Sequence, residues 1–79
     1  MIKERSYLPV VDVVETGKNI NRLIKENKLT KRELQYILGF STPQAIYKWC
    51  RGDCLPLVDN LVILSAVFDV PMDDIIILK

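Results

Sequence analysis

The side chains of this 79-residue chain best suited to chemistry with a partner lie between Lys31 and Arg51. They are Lys31, Arg32, Thr42, Gln44, Tyr47, Lys48 and Arg51, a set dominated by hydrogen-bond donors. Such groups grip anionic oxygens and read polar edges. Gln44 has the geometry to hydrogen-bond an adenine edge in bidentate fashion. Lys48 and Tyr47 suit base or phosphate contacts, and the Thr42 hydroxyl and Arg51 suit phosphate. Lys31 and Arg32 fall in the first turn of a predicted helix, where the helix N-terminus and a cationic side chain together favour a phosphate oxygen. Two cations at that end slightly oppose the helix dipole, which gives a functional reason for them some weight. Each residue also has an ordinary reading. Gln44 can close a capping box with Ser41, and Thr42 can cap the same helix. Arg51 can pair with Glu33 or Asp53, the Tyr47 ring can lie over a neighbouring helix, and Lys48 can be a solvated lysine.

Catalysis finds no such support. The chain has no histidine, and Cys50 and Cys54, its two cysteines, lack the further ligands a metal site needs. A disulfide between them would span a helix end in a reducing compartment, so Cys50 reads instead as a small buried apolar residue. No nucleophile–base spacing is visible. The expectation is a non-enzymatic protein with no cofactor, no metal and no small-molecule effector pocket.

Hydrophobic residues make up 49% of the chain, enough for one small packed domain and a surplus that suits a dimer. The charged start Met1-Ile2-Lys3-Glu4-Arg5 leads into no apolar run. The stretches Leu61 to Phe68 and Ile75 to Leu78 are too short to cross a bilayer, so a cytoplasmic, non-membrane protein is expected. The net charge of +1 conceals an asymmetry. Residues 18–51 hold eight Lys and Arg against two Glu, whereas residues 52–79 hold five Asp against one Lys. A basic half joined to an acidic half suits one face toward phosphates and another toward a partner.

The elements that must hold these residues are helical. Residues 1–11 read as an extended N-terminal arm, and 12–79 as the domain. A first helix starts at the N-cap Asp12, or at Thr16 because Gly17 weakens it, and runs to Asn27. Lys18, Arg22 and Lys25 line its solvated face. Thr30-Lys31-Arg32-Glu33 is a capping box for a second helix, which ends at the left-handed exit Gly39. A third runs from Pro43 in its first turn to Gly52, with Ile46, Trp49 and Cys50 inward. A fourth spans Leu57 to Val70 with Val58, Leu61, Leu64, Val67 and Phe68 inward. Pro71 to Asp74 opens a fifth, short helical turn, and Asp69, Asp73 and Asp74 are helix-terminal charges. The tail Ile75 to Leu78 pairs with the Val10 to Val14 arm or with a second subunit.

In this order and spacing, several motifs resemble the lambda repressor-like, or XRE-type, helix-turn-helix family over Gly17 to Ile76. They are Ile20-x-x-Leu23-Ile24, Leu29-Thr30-x-x-Glu33-Leu34, Leu38-Gly39-Phe40-Ser41, Ala45-Ile46-x-x-Trp49-x-Arg51-Gly52 and Leu55-Pro56, followed by Leu61-x-x-Leu64 and Phe68-x-Val70-Pro71-x-Asp73. The resemblance implies an all-α, compact five-helix domain with short N- and C-terminal extended arms. It implies a transcription regulator, bacterial or phage in origin, binding double-stranded DNA as a homodimer through helices two and three. Helix three would enter the major groove on half-sites one helical turn apart. Three features depart from the family pattern. Gln35 stands where alanine is usual, Gly39 and Ile46 are seven apart rather than the usual six, and Leu57 and Pro71 occupy caps that are commonly serine. A longer turn would move helix three outward and make room for Gln35. These departures also suit an alternative, a protein-interaction module, antitoxin or accessory factor, that keeps the fold without specific DNA binding.

Overall fold

The computed structural model describes residues 8–79. Most of the N-terminal arm, residues 1–7, lies outside the described residues. Four α-helices follow one another: α1 (Val13–Glu26), α2 (Lys31–Leu38), α3 (Gln44–Arg51) and α4 (Val58–Phe68). A short 3-10 turn, Met72–Asp74, completes the order in place of the expected fifth helix. The reason is tertiary. Pro71 is extended, and the chain must deliver Ile75, wholly buried, to the core within a few residues. A single turn, closed by Ile75 N–H on the Met72 carbonyl at 2.9 Å, makes this connection.

The helix starts are set locally. Asp12 Oδ1 accepts from Glu15 N–H at 3.0 Å, so α1 begins at Val13 and not beyond Thr16. Gly17, the helix-weakening residue, has a packing reason. A Cβ there would lie 2.1 Å from the Trp49 carbonyl oxygen, so its absence lets α1 cross closely over the end of α3. The Thr30–Glu33 capping box forms in both directions at 3.0 Å, and Gly39 exits with φ +74°. Helix α3 is different. Pro43 itself is the N-cap, with no side-chain cap hydrogen bond. Neither Thr42 nor Ser41 caps it, and the Ser41–Gln44 box does not form, because both side chains stand upstream of the cap position.

The core gathers Ile20, Leu23 and Ile24 of α1, Leu34 of α2, Ile46 and Trp49 of α3, Leu64 and Phe68 of α4, and Ile75. Burial of nine such side chains is the main stabilising term, each worth on the order of 1.5–3 kcal/mol. Helix α4 turns Leu61, Leu64, Val67 and Phe68 inward as predicted and departs from the prediction only at Val58. Val58 is 72% exposed, as is Leu57, and Val62 and Ile63 also reach the surface. With apolar residues on most sides of this 11-residue helix, the pattern does not separate Val58 in its first turn from the inward positions.

The tail is engaged within the chain. Val11 and Leu78 form an antiparallel bridge, Asp12 N–H donates to the Ile77 carbonyl at 2.7 Å, and Lys79 N–H donates to the Val10 carbonyl at 2.8 Å. Ile77 N–H also donates to buried Thr16 Oγ1 at 2.9 Å. Asn19 Nδ2 donates to the Asp74 and Ile75 carbonyls at 2.7 and 3.0 Å. The arm–tail pairing thus clasps the two ends of the domain against α1.

Candidate nucleic-acid interface

The residues expected to bind gather on the exposed sides of α2 and α3. Gln44, Tyr47, Lys48 and Arg51 line one surface depression along α3. Arg32, Gln35, Pro43 and Tyr47 line an adjoining one between the two helices, with Tyr47 shared by both. This follows from α3's own pattern. Ile46 and Trp49 are drawn into the core, so positions 44, 47, 48 and 51 turn outward. Pro43 and the left-handed Gly52, φ +81°, bound the helix to eight residues.

Lys31 is not a free cation. Its Nζ donates to Asn21 Oδ1 at 2.9 Å and sits 5.4 Å from the centre of the Tyr47 ring. Lys31 therefore bridges α1, α2 and α3 with its charge held beside the α2 N-terminus. A cation over an aromatic face contributes roughly 0.5–1 kcal/mol at such a partly exposed place. The Tyr47 ring thus meets α2 through Lys31 while remaining 46% exposed. Asn21 was missed in the sequence, since nothing in the α1 pattern marks it apart from neighbouring polar residues.

Arg51 takes its ion-pair option, with Asp53 and not Glu33. Nε and Nη2 both donate to Asp53 Oδ2, at 3.0 and 2.9 Å. The pair is exposed and contributes little to stability. Arg32, Thr42, Gln44 and Lys48 are exposed and have no side-chain hydrogen bond or ion pair among the described residues. Lys18 and Arg22 pair with Glu15 and Glu26 along α1, as a solvated face does. The site therefore offers a carboxamide, a phenol and an ammonium group side by side, flanked by a guanidinium and a fixed ammonium on α2.

Both cysteines are free thiols. Half-burial pushes the Cys50 thiol above its ordinary value, and the nearby Lys31 charge only partly opposes this. No helix among the described residues is long and apolar enough to cross a membrane.

Fold and site together define a helix-turn-helix domain: two short helices joined by a glycine turn, the second presented outward on a helical core. The helix-turn-helix family model matches residues 20–75, and the chain belongs to this lambda repressor-like family. Two solved structures are similar. The restriction-modification controller protein C.AhdI from Aeromonas hydrophila superposes with a TM-score of 0.71 at 19% identity, covering 81% of this chain and 96% of that one. The SOS-response transcriptional repressor LexA from Eubacterium rectale gives 0.75 at 23% identity, covering 98% of this chain and 74% of that one. At these identities the likeness is one of fold. No curated protein matches the chain.

Proposed function

We propose that this protein is a sequence-specific DNA-binding transcription regulator that acts without catalysis, as a homodimer on paired half-sites. The observation that carries the reading is the exposed trio Gln44, Tyr47 and Lys48 on α3, two of them without an internal partner. Helix α3 lies in the major groove, with Gln44 and Lys48 toward base edges. Lys31 and Arg32 at the α2 N-terminus, with Thr42 and Tyr47, hold phosphates and fix the docking register. Arg51 reaches a phosphate only by giving up Asp53, an exchange an exposed pair permits at little cost.

The second copy packs against the outer side of α4. Leu57, Val58, Val62 and Ile63 form an exposed apolar run of the kind that marks an interaction surface. The C-terminal tail, the other apolar candidate, has its backbone groups occupied by the arm and Thr16. A two-fold dimer then presents two copies of α3 to sites about one helical turn apart.

The rival reading, a protein-interaction module of antitoxin or accessory type, draws on the Arg51–Asp53 pair, which neutralises one cation of the site. Selection of bound sequences from a random duplex pool, with binding followed from low to moderate salt, separates the two. The DNA reading expects a palindromic enriched site and affinity that falls steeply with salt. No binding even at low salt would leave the interaction module as the function.

A further inference from the structure

Gln35 occupies a position where the family usually carries alanine, near the end of α2 and half-buried. Its side-chain Nε2 donates to the Phe40 carbonyl at 3.2 Å, while its backbone carbonyl accepts from Phe40 N–H at 3.1 Å. Both backbone polar groups of Phe40 thus close on one residue, forming a ring across the turn that begins at Gly39. The Phe40 ring in turn meets Trp49 of α3 edge-on, with centroids 5.9 Å apart and planes at 69°. A continuous path therefore runs from α2, through the turn, to the buried anchor of α3. An extra residue adds conformational freedom to a turn, and a two-point tie of this kind removes it. Gln35 also borders the depression shared with Arg32, Pro43 and Tyr47, so it stands at the binding face and not behind it.

We infer that Gln35 is a positioning residue that sets the stand of α3 against α2, and through it which base edges Gln44 and Lys48 reach. This rests on the DNA-binding reading. A mere filler of the space beside a longer turn would be replaceable by any side chain of like size. A positioning residue is not, because the Phe40 carbonyl needs a donor.

Gln35→Met keeps the length and flexibility of the side chain and removes the donor. It is compared with the natural chain on two duplexes: the sequence enriched by the natural chain, and random duplex. The expected result is an about tenfold loss of affinity for the enriched sequence, with random-duplex affinity within about twofold, since phosphate contacts tolerate a shift of α3 that base contacts do not. An unchanged ratio of the two affinities in a folded Gln35→Met protein overturns the inference and leaves the DNA reading intact. A natural chain that enriches no sequence overturns both. Should Gln35→Met not fold, carboxamide hydrogen exchange in the natural protein decides. The Gln35 amide hydrogens should exchange more slowly than those of exposed Gln44, and equal rates overturn the tie.

Discussion

At the scale of single residues, the DNA-binding reading separates the outward side chains of α3 by the effect expected from removing each. Gln44→Ala should weaken binding to the preferred sequence by about 1–3 kcal/mol and relax discrimination at one base position, with little effect on random duplex. Lys48→Ala removes a base contact that is also a charge, so it should weaken the preferred sequence more than random duplex and flatten the salt dependence by about one counterion, which Gln44→Ala leaves unchanged. Parallel titrations of both variants at several salt concentrations check this. The cysteines make a separate case. Burial holds the Cys50 thiol protonated to higher pH than usual and shields it from reagents, whereas Cys54 is exposed. Alkylation of the native protein should label Cys54 first. The preference should narrow as pH rises through the Cys50 value, as peptide mass analysis would register. Residue roles were legible in the sequence where the partner is near in the chain. Arg51 and Asp53 are two apart, and their pairing stood among the readings of the sequence. Lys31 and Asn21 are ten apart on different helices, and only the tertiary fold brings them together.

At the scale of elements, most sequence signals with a local cause carried through, the Ser41 or Thr42 cap of α3 being the exception. The Thr30–Glu33 box and the left-handed Gly39 and Gly52 need only neighbouring residues to act, and all three sit where the pattern put them. Signals that depended on tertiary demand carried through unevenly: the tail does meet the Val10 to Val14 arm, one of its two readings. The fifth helix shrank to a 3-10 turn because Ile75 had to reach the core, and the inward face of α4 was misassigned at Val58 because nearly every position there is apolar. Gly17 shows both levels in conflict. Helix propensity favours Gly17→Ala by about 1 kcal/mol, yet the new methyl would meet the Trp49 carbonyl at 2.1 Å. Steric strain of this kind typically costs about 1–3 kcal/mol and should dominate, so Gly17→Ala should destabilise the domain. For a chain of this size each kcal/mol lowers Tm by roughly 4–8 °C, which thermal denaturation resolves. A rise in Tm would mean that α1 and α3 separate easily.

At the scale of the whole molecule, charge and hydrophobicity are segregated along the chain. The cations crowd into α1 to α3, while α4 combines an exposed apolar side with acidic termini, Asp59 and Asp69. If the outer side of α4 joins two copies, Val62→Asp should shift sedimentation from dimer to monomer while leaving the far-ultraviolet spectrum of the helices unchanged. It should also weaken binding to a paired site far more than to a single half-site, because linked half-sites gain from effective concentration. Unchanged sedimentation would argue against this face. The clasp between arm and tail bears on how the chain reaches its native state. Thr16 and Ile77 are 61 residues apart, whereas the turns and caps of the helices join near neighbours. Closing so long a loop is entropically slow compared with forming helices, so the tail should dock after α1 to α3 have assembled. The same separation makes it the first part to open. Amide hydrogens of Asp12, Ile77 and Lys79 should exchange through a partial unfolding that leaves the core protected. In that opened form the backbone of residues 10–12 and 77–79 is freed, which would make the clasp the seam along which proteases first enter the domain.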